Sequence, residues 1–148
     1  SDRPGYAPEY HDPTLMKLAE DCCVALCGRK KVVFDYNGWS TGSSDFGDVT
    51  CVMPGIQFNA GGAVGTLHGI DFQITDPNRM CVNAAKVQLF LVDALLSNNA
   101  VAAKEIIANY KPQYPSIKAY LDAIDALTLD KDAVRYDEKG NAIVDFQN

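Results

Sequence analysis

The stretch that decides the fold starts at Asp12-Pro13 and runs through Leu15, Leu18, Ala19, Cys22 and Leu26 to Gly28. It then enters Lys31-Val32-Val33-Phe34-Asp35-Tyr36. Aspartate followed by proline is the pattern of an N-cap with proline at the first helical position. The apolar residues recur at helical spacing, and Gly28 stands where a helix stops. The β-branched, apolar run at residues 31–36 then reads as a strand. A helix handing over to a buried strand is half of an α/β unit, so the fold class expected is α/β.

Outward from this unit, residues 1–11 are rich in Pro, Gly and Tyr and read as an irregular lead-in, with His11 on the surface. The run Asn37-Gly38-Trp39-Ser40-Thr41-Gly42-Ser43-Ser44-Asp45-Phe46-Gly47-Asp48 is a loop by composition, with a short helical turn starting near Ser44 or Asp45. Pro54-Gly55 punctuates the chain before Ile56-Gln57-Phe58-Asn59, the second expected strand. Gly61, Gly62 and Gly65 lead to Thr66-Leu67-His68, and residues 71–77 are extended or turning. Residues 80–97 form a helix apolar on most sides, which calls for burial against a sheet. Asn98 or Asn99 caps a second helix with Val101, Ala102, Ile106 and Ile107 on one stripe. Pro112 and Pro115 separate it from a third, where Ile117, Tyr120, Leu121, Ile124 and Leu127 keep a 3.6-residue period. Asp137-Glu138-Lys139-Gly140-Asn141 is a turn before Ile143-Val144. There is no repeat and no linker long enough to divide residues 1–148 into two domains.

With 148 residues, 47% hydrophobic and 22% charged, the chain has the size and composition of one globular domain, which excludes disordered, collagen-like and low-complexity classes. A net charge of −6 with scattered basic residues leaves no footprint for nucleic acid or an anionic membrane. The five cysteines are odd in number, include an adjacent pair and make no C-x-x-C, so they suit neither a disulfide framework nor a zinc cluster. Cys22, Cys23 and Cys27 fall in the first helix and read as small buried hydrophobes. No signal peptide is visible, and the apolar stretches fall short of the ~20 residues that cross a bilayer; the expectation is cytoplasmic.

Chemistry concentrates in residues 43–76, where two Gly-, Ser- and Asp-rich loops flank a short strand, the placement of sites at strand ends in open α/β sheets. His68 is a candidate metal ligand or general base, against the plainer reading of a hydrogen-bonded structural histidine. Asp45 and Asp48 are candidate metal ligands or orienters of a histidine, against a capping role for Asp45. Asp71 and Asp76 read as turn residues. Tyr36 and Trp39 are pocket-lining or simple rim residues. No dinucleotide fingerprint, nucleophile elbow or P-loop occurs. A catalytic zinc needs about three protein ligands and a base, so one histidine and some loop aspartates make part of a site only.

The motifs Ser43-Ser44-Asp45-Phe46-Gly47-Asp48-Val49, Met53-Pro54-Gly55 and Gly65-Thr66-Leu67-His68 resemble the metal-dependent aminoacylase and carboxypeptidase family of amidohydrolases, in the branch that includes aminobenzoyl-glutamate hydrolase. Gly5-Tyr6-Ala7-Pro8 before them, and Asp71-Phe72 with Ala84-Ala85-Lys86 after them, keep that order across roughly the first 100 residues. The resemblance implies the C-terminal portion of a zinc-peptidase-like catalytic domain, a mixed sheet packed by helices. The N-terminal half and the inserted lid are absent from it. It implies His68 as the last ligand of a pair of divalent metals, zinc or alternatively manganese, with Ser44, Asp45, Gly65 and Thr66 on the active-site loops. The other ligands, the bridging carboxylate and the general-base glutamate belong to the missing half, so no catalytic residue is expected in this segment. The activity implied is metal-assisted hydrolysis of an amide in a small N-acyl or aminoacyl substrate, by a homo-oligomer in its full-length form, with this fragment inactive alone.

The competing readings are a non-catalytic homologue that serves as a binding or assembly module, and a small autonomous hydrolase using Asp45, Asp48 and His68. Half a catalytic sheet also implies an exposed edge strand and an exposed apolar face, which invite dimerisation or aggregation.

Overall fold

A computed structural model describes residues 5–38, 42, 44–128, 132 and 134–144. Trp39 and Ser43, named above, lie outside them. Helix α1 (Pro13–Cys27) begins as its sequence dictates: Asp12 Oδ1 accepts from the Leu15 amide at 2.9 Å, and Gly28 closes the helix with its amide on the Val24 carbonyl at 2.8 Å. A short helix, α2 (Phe46–Thr50), follows the loop. Strands β1 (Ala63–Val64) and β2 (Gln73–Ile74) form an antiparallel hairpin, with Ala63 opposite Ile74 and Val64 opposite Gln73. A π-helical turn at Asn78–Val82 opens helix α3 (Asn83–Asn109). Helix α4 (Ile117–Ala126) is capped by Ser116, whose Oγ accepts from the Ala119 amide at 3.1 Å. A second antiparallel hairpin, β3 (Val134–Tyr136) with β4 (Ala142–Val144), turns on Asp137, as expected for residues 137–141.

The core sits between α1 and α3. Leu15, Ala19 and Cys22 meet Leu91 and Ile106, and Leu18, Phe34, Ile56, Ala94 and Leu95 pack around them. The two halves of α3 contribute separately, because the backbone leaves the helix at Ser97 and takes positive φ at Asn98, Asn99 and Ala100. Asparagine tolerates the left-handed region better than most side chains, so the boundary expected at Asn98 or Asn99 falls where they permit it.

Helix and sheet are both present, as an α/β reading requires, but several expectations need correction. Residues 31–36 are not a paired strand: Arg29–Lys31 is a 3-10 turn, and residues 32–35 are extended without a ladder. Residues 56–59 are likewise extended and unpaired. Among the described residues the sheet structure is two separate hairpins and not one mixed sheet. The apolar α3 is therefore not covered by a sheet: Val87, Leu91 and Ile106 are buried, while Leu89, Val92 and Leu96 stay exposed. By length and composition residues 78–109 would pass as a membrane-crossing helix, contrary to the expectation that no apolar stretch comes near that length. The backbone leaves the helix at Ser97, which divides that stretch into two pieces.

The Asp12 carboxylate is buried at the start of the helix that carries half of the core. Asp12→Ala should cost about 1–2 kcal/mol, read as a lower urea midpoint at unchanged slope.

Candidate functional site

His68 stands at the tip of the loop that joins β1 to β2, and local chemistry fixes its position. Gly65 turns the chain at φ +92, and a β-carbon there would lie 2.2 Å from the Asp71 carbonyl oxygen, so glycine is required. Asp71 Oδ2 then accepts from the Thr66 amide at 3.1 Å and from Thr66 Oγ1 at 3.3 Å. The Gly69 amide donates to the Thr66 carbonyl at 2.7 Å, and the Phe72 amide donates to that of Gly69 at 3.2 Å. Within this pinned loop His68 adopts φ +65 with its side chain exposed. The base of the hairpin is tied as firmly, since the Gly62 carbonyl accepts from the amides of Thr75 and Asp76, both at 2.9 Å. Asp76 Oδ1 accepts from the Arg79 amide at 2.9 Å, so both Asp71 and Asp76 are turn and cap residues, as read from the sequence.

The second expected loop lies elsewhere in the hydrogen-bond network. Ser44 Oγ donates to Glu9 Oε1 at 2.5 Å, lies 3.3 Å from Gln57 Oε1, and accepts from the Phe46 amide at 3.2 Å. Ser44 thus tends the start of α2, while Asp45 holds the N-cap position without a side-chain cap bond, a correction to the capping role expected of it. The serine hydroxyl already serves the first free amide of the turn. No hydrogen bond among the described residues joins Ser44 or Asp45 to the loop of His68. Gly65 and Thr66 do flank that histidine. His11, expected at the surface, is half-buried with Nε2 3.1 Å from Glu9 Oε2.

Asp48 has a role that its spacing from Asp45 concealed. Its Oδ1 accepts from the Ala7 amide at 2.8 Å, and it hydrogen-bonds the Tyr120 hydroxyl of α4. One residue earlier, a β-carbon on Gly47 would lie 1.8 Å from the Ala7 carbonyl oxygen. The two sequence motifs around Ala7 and Asp48 are therefore in direct contact, 41 residues apart in the chain. A bare D-x-x-D spacing carries no sign of this; the adjacent glycine, needed for a close backbone approach, was the available signal.

Cys22, Cys23 and Cys51 behave as small hydrophobes, whereas Cys27, expected to be buried, is half-buried and Cys81 is exposed. All five are free, and Cys22, Cys23 and Cys51 are buried. Burial is the main cause pushing each of these three thiols up, with smaller contributions from neighbouring Asp21, Cys27 and Asp48. Such thiols are poor nucleophiles and poor metal ligands at neutral pH. Among the described residues no three His, Cys, Asp or Glu side chains converge as a metal group would need. The residues here therefore do not by themselves fit a catalytic zinc, and His68 supplies one donor at most.

Compared with known protein families, with curated proteins and with solved structures, the chain matches none of them.

Replacing Asp48 with alanine removes two bonds to a charged acceptor and should destabilise the fold by about 1.5–3 kcal/mol, measured by urea unfolding. A pH signature follows from its partner. Burial first, and then the hydrogen bond it donates to Asp48, push the Tyr120 hydroxyl up to about 12. A group whose pKa rises on folding stabilises the fold below its unfolded value and loses that contribution as pH climbs through its folded value. Stability should accordingly fall between about pH 10 and pH 12, and Tyr120→Phe should flatten that fall; an unchanged slope in the variant would exclude Tyr120 as its source.

Proposed function

We propose that this chain is the C-terminal part of the catalytic domain of a binuclear metal-dependent amidohydrolase acting on a small N-acyl or aminoacyl substrate. In this reading His68 gives one ligand to a divalent metal, zinc or manganese, and Ser44, Asp45, Gly65 and Thr66 border the substrate. The observation that carries it is the presentation of His68. A loop stiffened by Gly65 and Asp71 holds one imidazole out at a hairpin tip, with the backbone of His68 at φ +65. The remaining ligands and the base would come from polypeptide beyond residues 1–148, so no hydrolytic step is assigned to the residues present. A metal bound there would polarise the amide carbonyl and activate water, while the protein's part is to fix the imidazole and its tautomer.

A second reading, a non-catalytic binding or assembly module, draws on the lack of a three-ligand cluster among the described residues. Zinc titration by calorimetry separates the two. The amidohydrolase reading expects weak binding of at most one ion by the chain and its loss in His68→Ala. Zinc binding unchanged by that substitution would sink the role of His68, and tight binding of two ions by the chain alone would contradict the division of ligands between two halves.

A further inference from the structure

Tyr36, Asn37 and Gly38 stand exposed in a turn that Asp35 organises. Asp35 Oδ1 accepts from the Asn37 amide at 3.1 Å, and the Asp35 carbonyl accepts from the Gly38 amide at 3.4 Å. The Tyr36 hydroxyl donates to Glu20 Oε2 at 2.6 Å, which ties the turn to α1. Asn37-Gly38 is the one asparagine–glycine pair in the sequence. An asparagine carboxamide carbon lies within reach of the next backbone nitrogen, and a side chain on the following residue hinders closure of that five-membered ring. Glycine has none, so its backbone reaches the angles that closure requires.

Two features of the fold leave the pair open to this reaction. Among the described residues nothing hydrogen-bonds the Asn37 carboxamide, so its carbon can turn toward the next nitrogen. The Gly38 amide is held only by the 3.4 Å bond, beyond the usual range of about 2.7–3.2 Å. Asn141, exposed at the end of the turn between β3 and β4, is the contrast. Its Nδ2 donates to Asp137 Oδ2 at 2.9 Å, its amide donates to Asp137 Oδ1 at 2.8 Å, and alanine follows it.

We propose that Asn37-Gly38 is a site of spontaneous covalent modification, at which the carboxamide is lost through a cyclic imide. The Gly38 nitrogen attacks Asn37 Cγ. The N–Cγ bond forms, the Cγ–Nδ2 bond breaks, and Nδ2 leaves as ammonia with the proton that the Gly38 nitrogen gives up. Water then opens the imide at either carbonyl and leaves an aspartyl or an isoaspartyl link; nothing is oxidised or reduced. Either product places a carboxylate two residues from Asp35 and makes the net charge of −6 one unit more negative. The isoaspartyl link also lengthens the main chain by one atom inside the turn, which breaks the spacing of the bond from Gly38 to Asp35. The modification does not depend on the amidohydrolase reading.

Peptide mapping by mass spectrometry, after incubation of the folded chain at mildly alkaline pH, tests this. Asn37 should convert about tenfold or more faster than Asn141. Its rate in the folded chain should lie within about threefold of its rate in urea, since an exposed turn with few bonds protects little. A β-carbon at Gly38 would meet the Asp35 side chain at 2.7 Å, so Asn37→Gln serves beside Gly38→Ala, and circular dichroism checks the folding of both. Each substitution should slow the conversion about tenfold or more. Conversion seen in urea and absent from the folded chain would overturn the proposal. So would an Asn37 no faster than Asn141, or a rate that either substitution leaves unchanged.

Discussion

The end of α2 holds the chain together. Thr50 and Cys51 are 0% and 1% exposed. Thr50 Oγ1 donates to the Gly47 carbonyl at 3.0 Å and accepts from the Tyr10 amide at 3.1 Å. Its own carbonyl accepts from the Tyr110 hydroxyl at the end of α3, and the Cys51 carbonyl accepts from the amides of Gln113 and Tyr114 at 3.0 and 3.3 Å. The lead-in, the end of α3 and the stretch just after it thus meet on two residues. Buried backbone groups must be paired, and here long-range partners do the pairing where a sheet would normally do it. A five-residue helix with little stability of its own becomes the junction because everything around it supplies hydrogen bonds.

The same junction explains what the sequence could and could not convey. Helix starts were legible because capping is local: Asp12 and Ser116 sit within three residues of the amides they serve. The break at Asn98 and Asn99 was legible for a similar reason, since side chains that tolerate positive φ mark where a helix can turn. The loop of His68 was readable through Gly65, but the bond from Thr66 to Asp71 that stiffens it was not. Asp48 was misread altogether, because its partners Ala7 and Tyr120 lie 41 and 72 positions away and leave no periodic trace. The two expected strands show a further gap. They were read as strands from an apolar, β-branched run and from Pro-Gly punctuation, and residues 32–35 and 56–59 are extended, yet pairing is a property of two segments and one segment cannot declare it.

Helix α3 carries this tension furthest. Its sequence is apolar around most of its circumference, and α1 can cover only one side of it. Leu89 and Leu96, at 69% and 61% exposure, lie on the other. A helix of that composition belongs between two layers, and the described residues provide one. The unpaired pleats and the bare helix are thus two expressions of one shortage of covering structure.

Leu95 before the break at Ser97 and Ala103, Ile106, Ile107 and Tyr110 after it lie around Leu15 and Pro54. An apolar cleft of about 520 Å3 remains between them. The cleft is open to solvent, so its apolar lining stays in contact with water at the point where the two halves of the helix part.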